Sequence, residues 1–174
     1  MRLHFQLDRL PIAPAMEFAI PLFGRTALTI SELITPDARR RVGIFMFSYL
    51  LIAIGGALGS VARFWLSGAV AQRFGETFPA GTLLVNISGS LVIGFFAGLT
   101  GPDGRLLVNP TIRQFFMIGL CGGYTTFSSF SLQTLTLARD GEFLFAALNI
   151  ASSVILCLLA VWLGDYLAMN LTQR

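Results

Sequence analysis

The sequence predicts an all-α membrane protein with four transmembrane helices, the third of them broken at its centre. Three observations carry this. The chain of 174 residues is 55% hydrophobic and 12% charged, where a soluble domain carries roughly 25% charged residues, and its mean hydropathy is +0.74. The apolar residues gather into four charge-free runs, 44–62, 77–102, 114–138 and 143–164. A bilayer core about 30 Å thick needs about 20 such residues as helix, and no run shows the polar stripe of a soluble amphipathic helix. The third run also holds "GLCGGYTTFSSF" (119–130), glycines followed by aromatics interleaved with hydroxyls, which lipid does not favour in a continuous helix.

Residues 1–45 stand apart. They hold Pro11, Pro14, Pro21 and Pro36, mixed charges and the run Arg39–Arg40–Arg41, and their apolar pieces are short. The segment is neither a clean signal peptide nor a span. It is expected to be a poorly structured extension or to lie upstream of the true start, since "MFSYLLIAIGG" at Met46 looks like a natural beginning. Residues 46–170 form one four-helix domain.

Within that domain, the first run places Gly55 and Gly59 four apart, and the second repeats the spacing with Ser90, Gly94 and Gly98. Small residues at this period let helix backbones approach closely in a membrane. In the third run, Gly119, Gly122 and Gly123 permit the backbone to unwind. Freed carbonyls at membrane depth need a partner other than lipid; a cation is one candidate, neighbouring helices and ordered water are the other. Phe127 and Phe130 are three apart and share a face if helix resumes there. In the fourth run, Asn149 and Ser153 share a face, which continues to Cys157 and Val161 and so loses its hydroxyls.

Charge and chemistry exclude several classes. All 12 basic residues are Arg, and the net charge of +3 forms no long patch, so a nucleic-acid partner is not expected. Cys121 and Cys157 show no paired spacing and read as small buried thiols. From Met46 onward, Arg105, Arg113 and Arg174 lie on one side of the membrane against Arg63, Arg73 and Arg139 on the other. This balance permits insertion in both orientations and an antiparallel dimer; translation of Arg39–Arg41 would favour termini inside. The four runs contain no Asp or Glu. That argues against a cation-coupled exporter, which uses a membrane carboxylate, and against an intramembrane hydrolase. What remains is Asn86, Asn149, hydroxyls, ring edges and Arg63 near the end of the first run, a lining suited to an anion. A small four-helix multidrug or cation exporter and a non-conducting assembly subunit are the alternatives.

"GGALGSVARF" (55–64), "GTLLVNISGSLVIGF" (81–95) and "GLCGGYTTFSSFS" (119–131) resemble, in order and spacing, the three signature stretches of the Fluc/CrcB fluoride channel family. The resemblance covers about 46–168, and its third stretch is the most specific. It implies an antiparallel, dual-topology homodimer embedded in lipid. Each dimer would have two pores, would pass fluoride out of the cell across the bacterial inner membrane without an energy source, and would have no enzymatic activity. It further implies a buried sodium ion at the dimer centre, bound by the backbone oxygens of Gly122 and Thr125. Phe127 and Phe130 would line the fluoride path, Asn86 would donate to the ion, and Thr126, Ser128 and Ser129 would add hydroxyls. Asn149 and Ser153 would begin a polar track. Read as ordinary membrane residues, the ring pair is core packing, Asn86 an interhelical hydrogen bond, and Arg63 a side chain snorkelling to the headgroups rather than one concentrating anions at a pore mouth. Tyr124 receives no role.

Overall fold

A computed structural model of the chain describes residues 36–75, 77–102, 104 and 106–172, without the side chains at 36–39, 41 and 172. Most of the expected extension, together with His4, Arg105 and Arg174, lies outside the described residues. Two compact units are distinguished, Met1–Met46 and Phe47–Arg174. Among the described residues all regular structure is helical: α1 Pro36–Phe74, α2 Ala80–Thr100, α3 Pro110–Gln114, a π-helical segment Phe115–Cys121, α4 Gly122–Tyr124, α5 Phe127–Arg139 and α6 Phe143–Thr172. Helix α1 thus begins ten residues before Met46. Stretches Val42–Phe74, Ala80–Thr100 and Phe143–Leu171 are each long and apolar enough to cross a membrane. The remaining pass is the interrupted one, α3 through α5.

Local chemistry sets the ends of these elements. Gly75 has φ +82°, a left-handed conformation that glycine adopts without steric cost, and its amide bonds back to the Ala71 carbonyl at 2.8 Å. Gly141, with φ +81°, stops α5 in the same way. Asn109 opens the interrupted pass, its side chain accepting from the Thr111 amide at 2.9 Å with Pro110 in the first turn. Helix α6 runs past Gly164, where the charge-free run ends, and carries Asp165 near its far end. One carboxylate therefore belongs to a helix that the sequence reading had left free of acids, because a charge does not break a helix that is close to the membrane edge.

Glycine packing holds the passes together. On α1, a Cβ at Gly55 would lie 2.8 Å from the Phe115 carbonyl oxygen and 3.1 Å from Gly119 Cα. One at Gly59 would lie 2.7 Å from the Tyr124 amide nitrogen. The approach is reciprocal: a Cβ at Gly119 would lie 2.9 Å from the Ile52 carbonyl oxygen, and one at Gly123 2.5 Å from that of Gly56. Backbones this close exclude any side chain. Helices α2 and α6 meet similarly, with Gly94 against Val161, Gly98 against Ala168 and Asp165, and Gly164 against Leu91.

This corrects the expectation placed on the glycines of the third pass. Gly119 lies in the π-helical segment and Gly122 and Gly123 in α4, so none of them unwinds the chain. Gly119 and Gly123 are small because α1 lies against them, while Gly122 is exposed and has no α1 atom beside it. The backbone opens two residues later, at Thr125 (φ −78°, ψ 160°) and Thr126 (φ −153°, ψ 117°).

Two substitutions test this packing. Gly59→Ala puts a methyl group against rigid backbone and is expected to cost about 1–3 kcal/mol. Gly141→Ala, unhindered but strained at positive φ, is expected to cost about 1 kcal/mol. Denaturant unfolding in detergent, followed by circular dichroism, checks both.

Candidate functional site

A break in the middle of a membrane pass leaves polar backbone that lipid cannot satisfy. Here α2 supplies the partner. Asn86 Oδ1 accepts from the Thr126 amide at 2.8 Å, and Asn86 Nδ2 donates to the Thr126 carbonyl at 3.0 Å. One amide side chain thus satisfies both polar groups of the residue at the break. The Thr126 hydroxyl caps α5, accepting from the Ser129 amide at 3.2 Å, and lies 3.2 Å from Ser128 Oγ and 3.1 Å from Ser129 Oγ. Thr125 Oγ1 donates to the Cys121 carbonyl at 2.9 Å. On the other side of the break, Tyr124 Oη and Ser88 Oγ are 2.8 Å apart, and Ser88 Oγ is 2.8 Å from the Leu84 carbonyl, to which it donates. The phenol is therefore the donor to Ser88.

These bonds change the partners of two carbonyls. In a continuous helix the Thr126 amide would serve the Gly122 carbonyl, and the Ser129 amide that of Thr125. The first is turned to Asn86 and the second to the Thr126 hydroxyl. Gly122 is exposed, and only the Met117 carbonyl oxygen, at 3.7 Å, lies within 4 Å of where its Cβ would be. The two backbone oxygens singled out in the sequence are thus among the carbonyls that the break deprives of their helical donors, and backbone carbonyls are ligands of the kind a hard cation takes.

Beyond the break the candidate residues separate into three environments. Phe127 and Phe130 touch, with ring centroids 5.3 Å apart and planes at 49°; Phe130 is buried, whereas Phe127 is 78% exposed in the single chain. Ser128 is also exposed. Asn149 and Ser153 are buried on α6. Asn149 Nδ2 donates to Thr134 Oγ1 at 2.8 Å, and Thr134 Oγ1 donates to the Phe130 carbonyl at 2.8 Å. This short polar chain ties α6 to α5 at the inner ring.

The third environment is an open cavity of about 930 Å³ between α1, the start of α2 and α5. Arg63, Thr126 and Ser129 line it, with Ser60, Gln133 and Thr136. Arg63 Nε and Gln133 Oε1 are buried atoms without a hydrogen-bond partner. An unpartnered buried guanidinium nitrogen is costly unless a ligand or water reaches it. Arg63 thus faces the same cavity as the hydroxyls of the break. Because α5 begins at the break, its N-terminal end carries positive partial charge. Among the described residues the cavity therefore combines a cation, a helix N-terminus and hydroxyl donors.

Sequence reasoning missed three parts of this arrangement. Gln133, one turn beyond Phe130, was an isolated amide in an apolar run, a signal comparable to that of Asn86. Thr134 and the Ser88–Tyr124 pair had no signal in the sequence, since threonine, serine and tyrosine are common in membrane helices.

Comparison with known proteins agrees across nearly the whole helical domain. The family described as "CrcB-like protein, Camphor Resistance (CrcB)" matches residues 50–165. The protein named "Fluoride-specific ion channel FluC" from Rhodospirillum rubrum is 64% identical over 126 residues, covering 72% of this chain and 98% of the relative. Proteins of the same name from Opitutus terrae and Methylocella silvestris are 63% and 60% identical over 128 and 125 residues, covering 74% and 72% of this chain and 97% and 95% of the relatives.

Replacing Asn86 tests the support of the break. Asn86→Ala leaves the amide and the carbonyl of Thr126 without a partner and is expected to cost about 2–4 kcal/mol. Asn86→Asp, which keeps the acceptor and sets a carboxylate against the Thr126 carbonyl, is expected to fall no closer to wild type than half that loss. Unfolding in detergent measures both.

Proposed function

This chain belongs to the CrcB/FluC fluoride channel family and is a multi-pass membrane protein, and from that premise we propose that it conducts fluoride passively out of a bacterial cell across the inner membrane, lowering cytoplasmic fluoride. It is a channel and not an enzyme. The observation that carries the proposal is the break at Thr125–Thr126, held by Asn86, at the inner end of a cavity that presents Arg63 and the hydroxyls of Thr126 and Ser129.

Fluoride is small and strongly hydrated. A pore must replace its water with donors and still release it. Arg63 and the N-terminus of α5 raise the local anion concentration in the cavity. Thr126 and Ser129, with Ser128 beside them, offer hydroxyl donors. Asn86 Nδ2 keeps a second hydrogen after binding the Thr126 carbonyl and donates it to the ion. From there the ion passes along the ring pair, where the positive edges of Phe127 and Phe130 face it. Asn149 and Ser153 continue the polar lining along α6.

The functional unit of this reading is an antiparallel homodimer of dual topology, with two pores. The exposure of Phe127 in the single chain supports a second copy completing the path. A sodium ion at the dimer centre would be held by the carbonyls of Gly122 and Thr125, whose helical donors are turned elsewhere. Its positive charge would lock the two breaks together. Residues 46–170 make up the channel domain, and 1–45 are an extension outside it.

Purified protein in liposomes tests the proposal with a fluoride-selective electrode. Fluoride release is expected, with chloride release lower by orders of magnitude; intact dimer without fluoride release rejects it. Phe127→Ile and Phe130→Ile are expected to lower the flux at least about tenfold while the dimer survives size-exclusion chromatography. Parallel loss of flux and dimer would make the rings structural only. Exchanging sodium for a large organic cation during purification is expected to reduce flux and dimer stability together, and unchanged behaviour would remove sodium from the reading.

A further inference from the structure

The cavity that leads to the break carries charge of the opposite sign at its outer end. Asp140 and Glu142 line the same cavity as Arg63, and both are exposed. They do not lie on a free loop. The Asp140 amide bonds the Thr136 carbonyl at 2.9 Å, the Gly141 amide that of Ala138 at 3.3 Å, and the Glu142 amide that of Leu137 at 2.9 Å. With Gly141 at φ +81°, these bonds form the turn that closes a helix C-terminus. The turn holds both carboxylate residues at the end of α5 farthest from the break. Among the described residues, Arg63 is the one cation lining the cavity. Arg73 and Arg139 are exposed and lie outside the lining.

An anion entering from this side therefore meets two negative charges before it reaches Arg63. Exposed charges act through water, so their reach follows the screening length, about 30 Å at 0.01 M salt and about 10 Å at 0.1 M. At low salt the rim and the floor of the cavity act together on the ion; at high salt the rim is screened, while Arg63, with a buried nitrogen, is screened less.

We propose that Asp140 and Glu142 form an anionic collar that sets how readily the cavity captures fluoride, without acting on the ion's passage along the ring pair. This rests on the fluoride-channel reading. The collar lowers the occupancy of the cavity and so offsets the attraction of Arg63 and the helix N-terminus, keeping the ion loosely held. A channel that must release a strongly attracted anion gains from such opposition.

The test compares full-length wild type with the double variant Asp140→Asn/Glu142→Gln in liposomes. Initial fluoride efflux is measured against fluoride concentration at about 0.01 M and about 0.3 M ionic strength. At low ionic strength the half-saturating fluoride concentration of the variant is expected to fall at least about threefold, with a smaller change in the maximal rate. At high ionic strength the two proteins are expected to coincide. Glu142→Arg is expected to shift half-saturation further in the same direction. Equal half-saturation at low ionic strength, or the same shift at both salt levels, overturns the collar while leaving the channel standing. Absence of flux from wild type overturns both.

Discussion

The pair of hydrogen bonds between Asn86 and Thr126 is the constraint on which the rest of the structure depends. A polypeptide can break its helix inside a membrane only where protein supplies the missing partners, since each unsatisfied group in hydrocarbon costs several kcal/mol. One carboxamide answers the N–H and the C=O of Thr126 together. Thr126 is then free to cap α5 with its hydroxyl, and α5 acquires a true N-terminus at mid-membrane. The same exchange withdraws the helical donors of Gly122 and Thr125. The helix end and the released carbonyls both follow from one side chain on α2.

Close packing makes that geometry reproducible. Lipid supplies no hydrophobic force between helices, so position comes from contact between surfaces. The glycines of α1 and of the third pass bring two backbones together along one seam, and those of α2 and α6 do so along another. Asn86 projects from α2 and the break belongs to the third pass. Their meeting at hydrogen-bond distance needs both seams to stay in register. Tyr124, bonded to Ser88 two residues from Asn86, fastens the other side of the break to the same helix.

Much of this was legible in the sequence, for identifiable reasons. Span length and charge-free composition report directly on a bilayer, so the existence and order of the passes were readable, although the first and last helices run 8–12 residues past their charge-free runs. The stretch at 119–131 marked the interrupted pass because hydroxyls and glycines are poorly suited to uniform lipid-facing helix. What composition could not separate was the two uses of glycine. Gly119, Gly122 and Gly123 looked like the point of unwinding, yet all three lie within helical turns and Gly119 and Gly123 are the contact with α1, while the opening falls on Thr125 and Thr126, residues with full side chains held open by a partner forty positions away. That partner, Asn86, was visible as an amide out of place; its bond to Thr126 was not, because pairing across passes leaves no local pattern. Gln133 and the collar residues were missed for a similar reason, since their meaning comes from lining one cavity with Arg63. The acid on α6 escaped notice because a charge-free run and a helix end at different residues.

The cavity has one more consequence. It is open at the loops and reaches Thr126, about halfway along the third pass. Solvent admitted this far thins the insulating layer, so the resting voltage of the cell falls over a shorter distance than the full hydrocarbon thickness. A unit charge crossing the whole drop exchanges about 2.3 kcal/mol per 100 mV, and most of that difference falls beyond the break, where the π-helical segment and α4 lie. The polarised membrane thereby acts on an anion over roughly half of the ~30 Å hydrocarbon thickness, on the far side of the break from the open cavity.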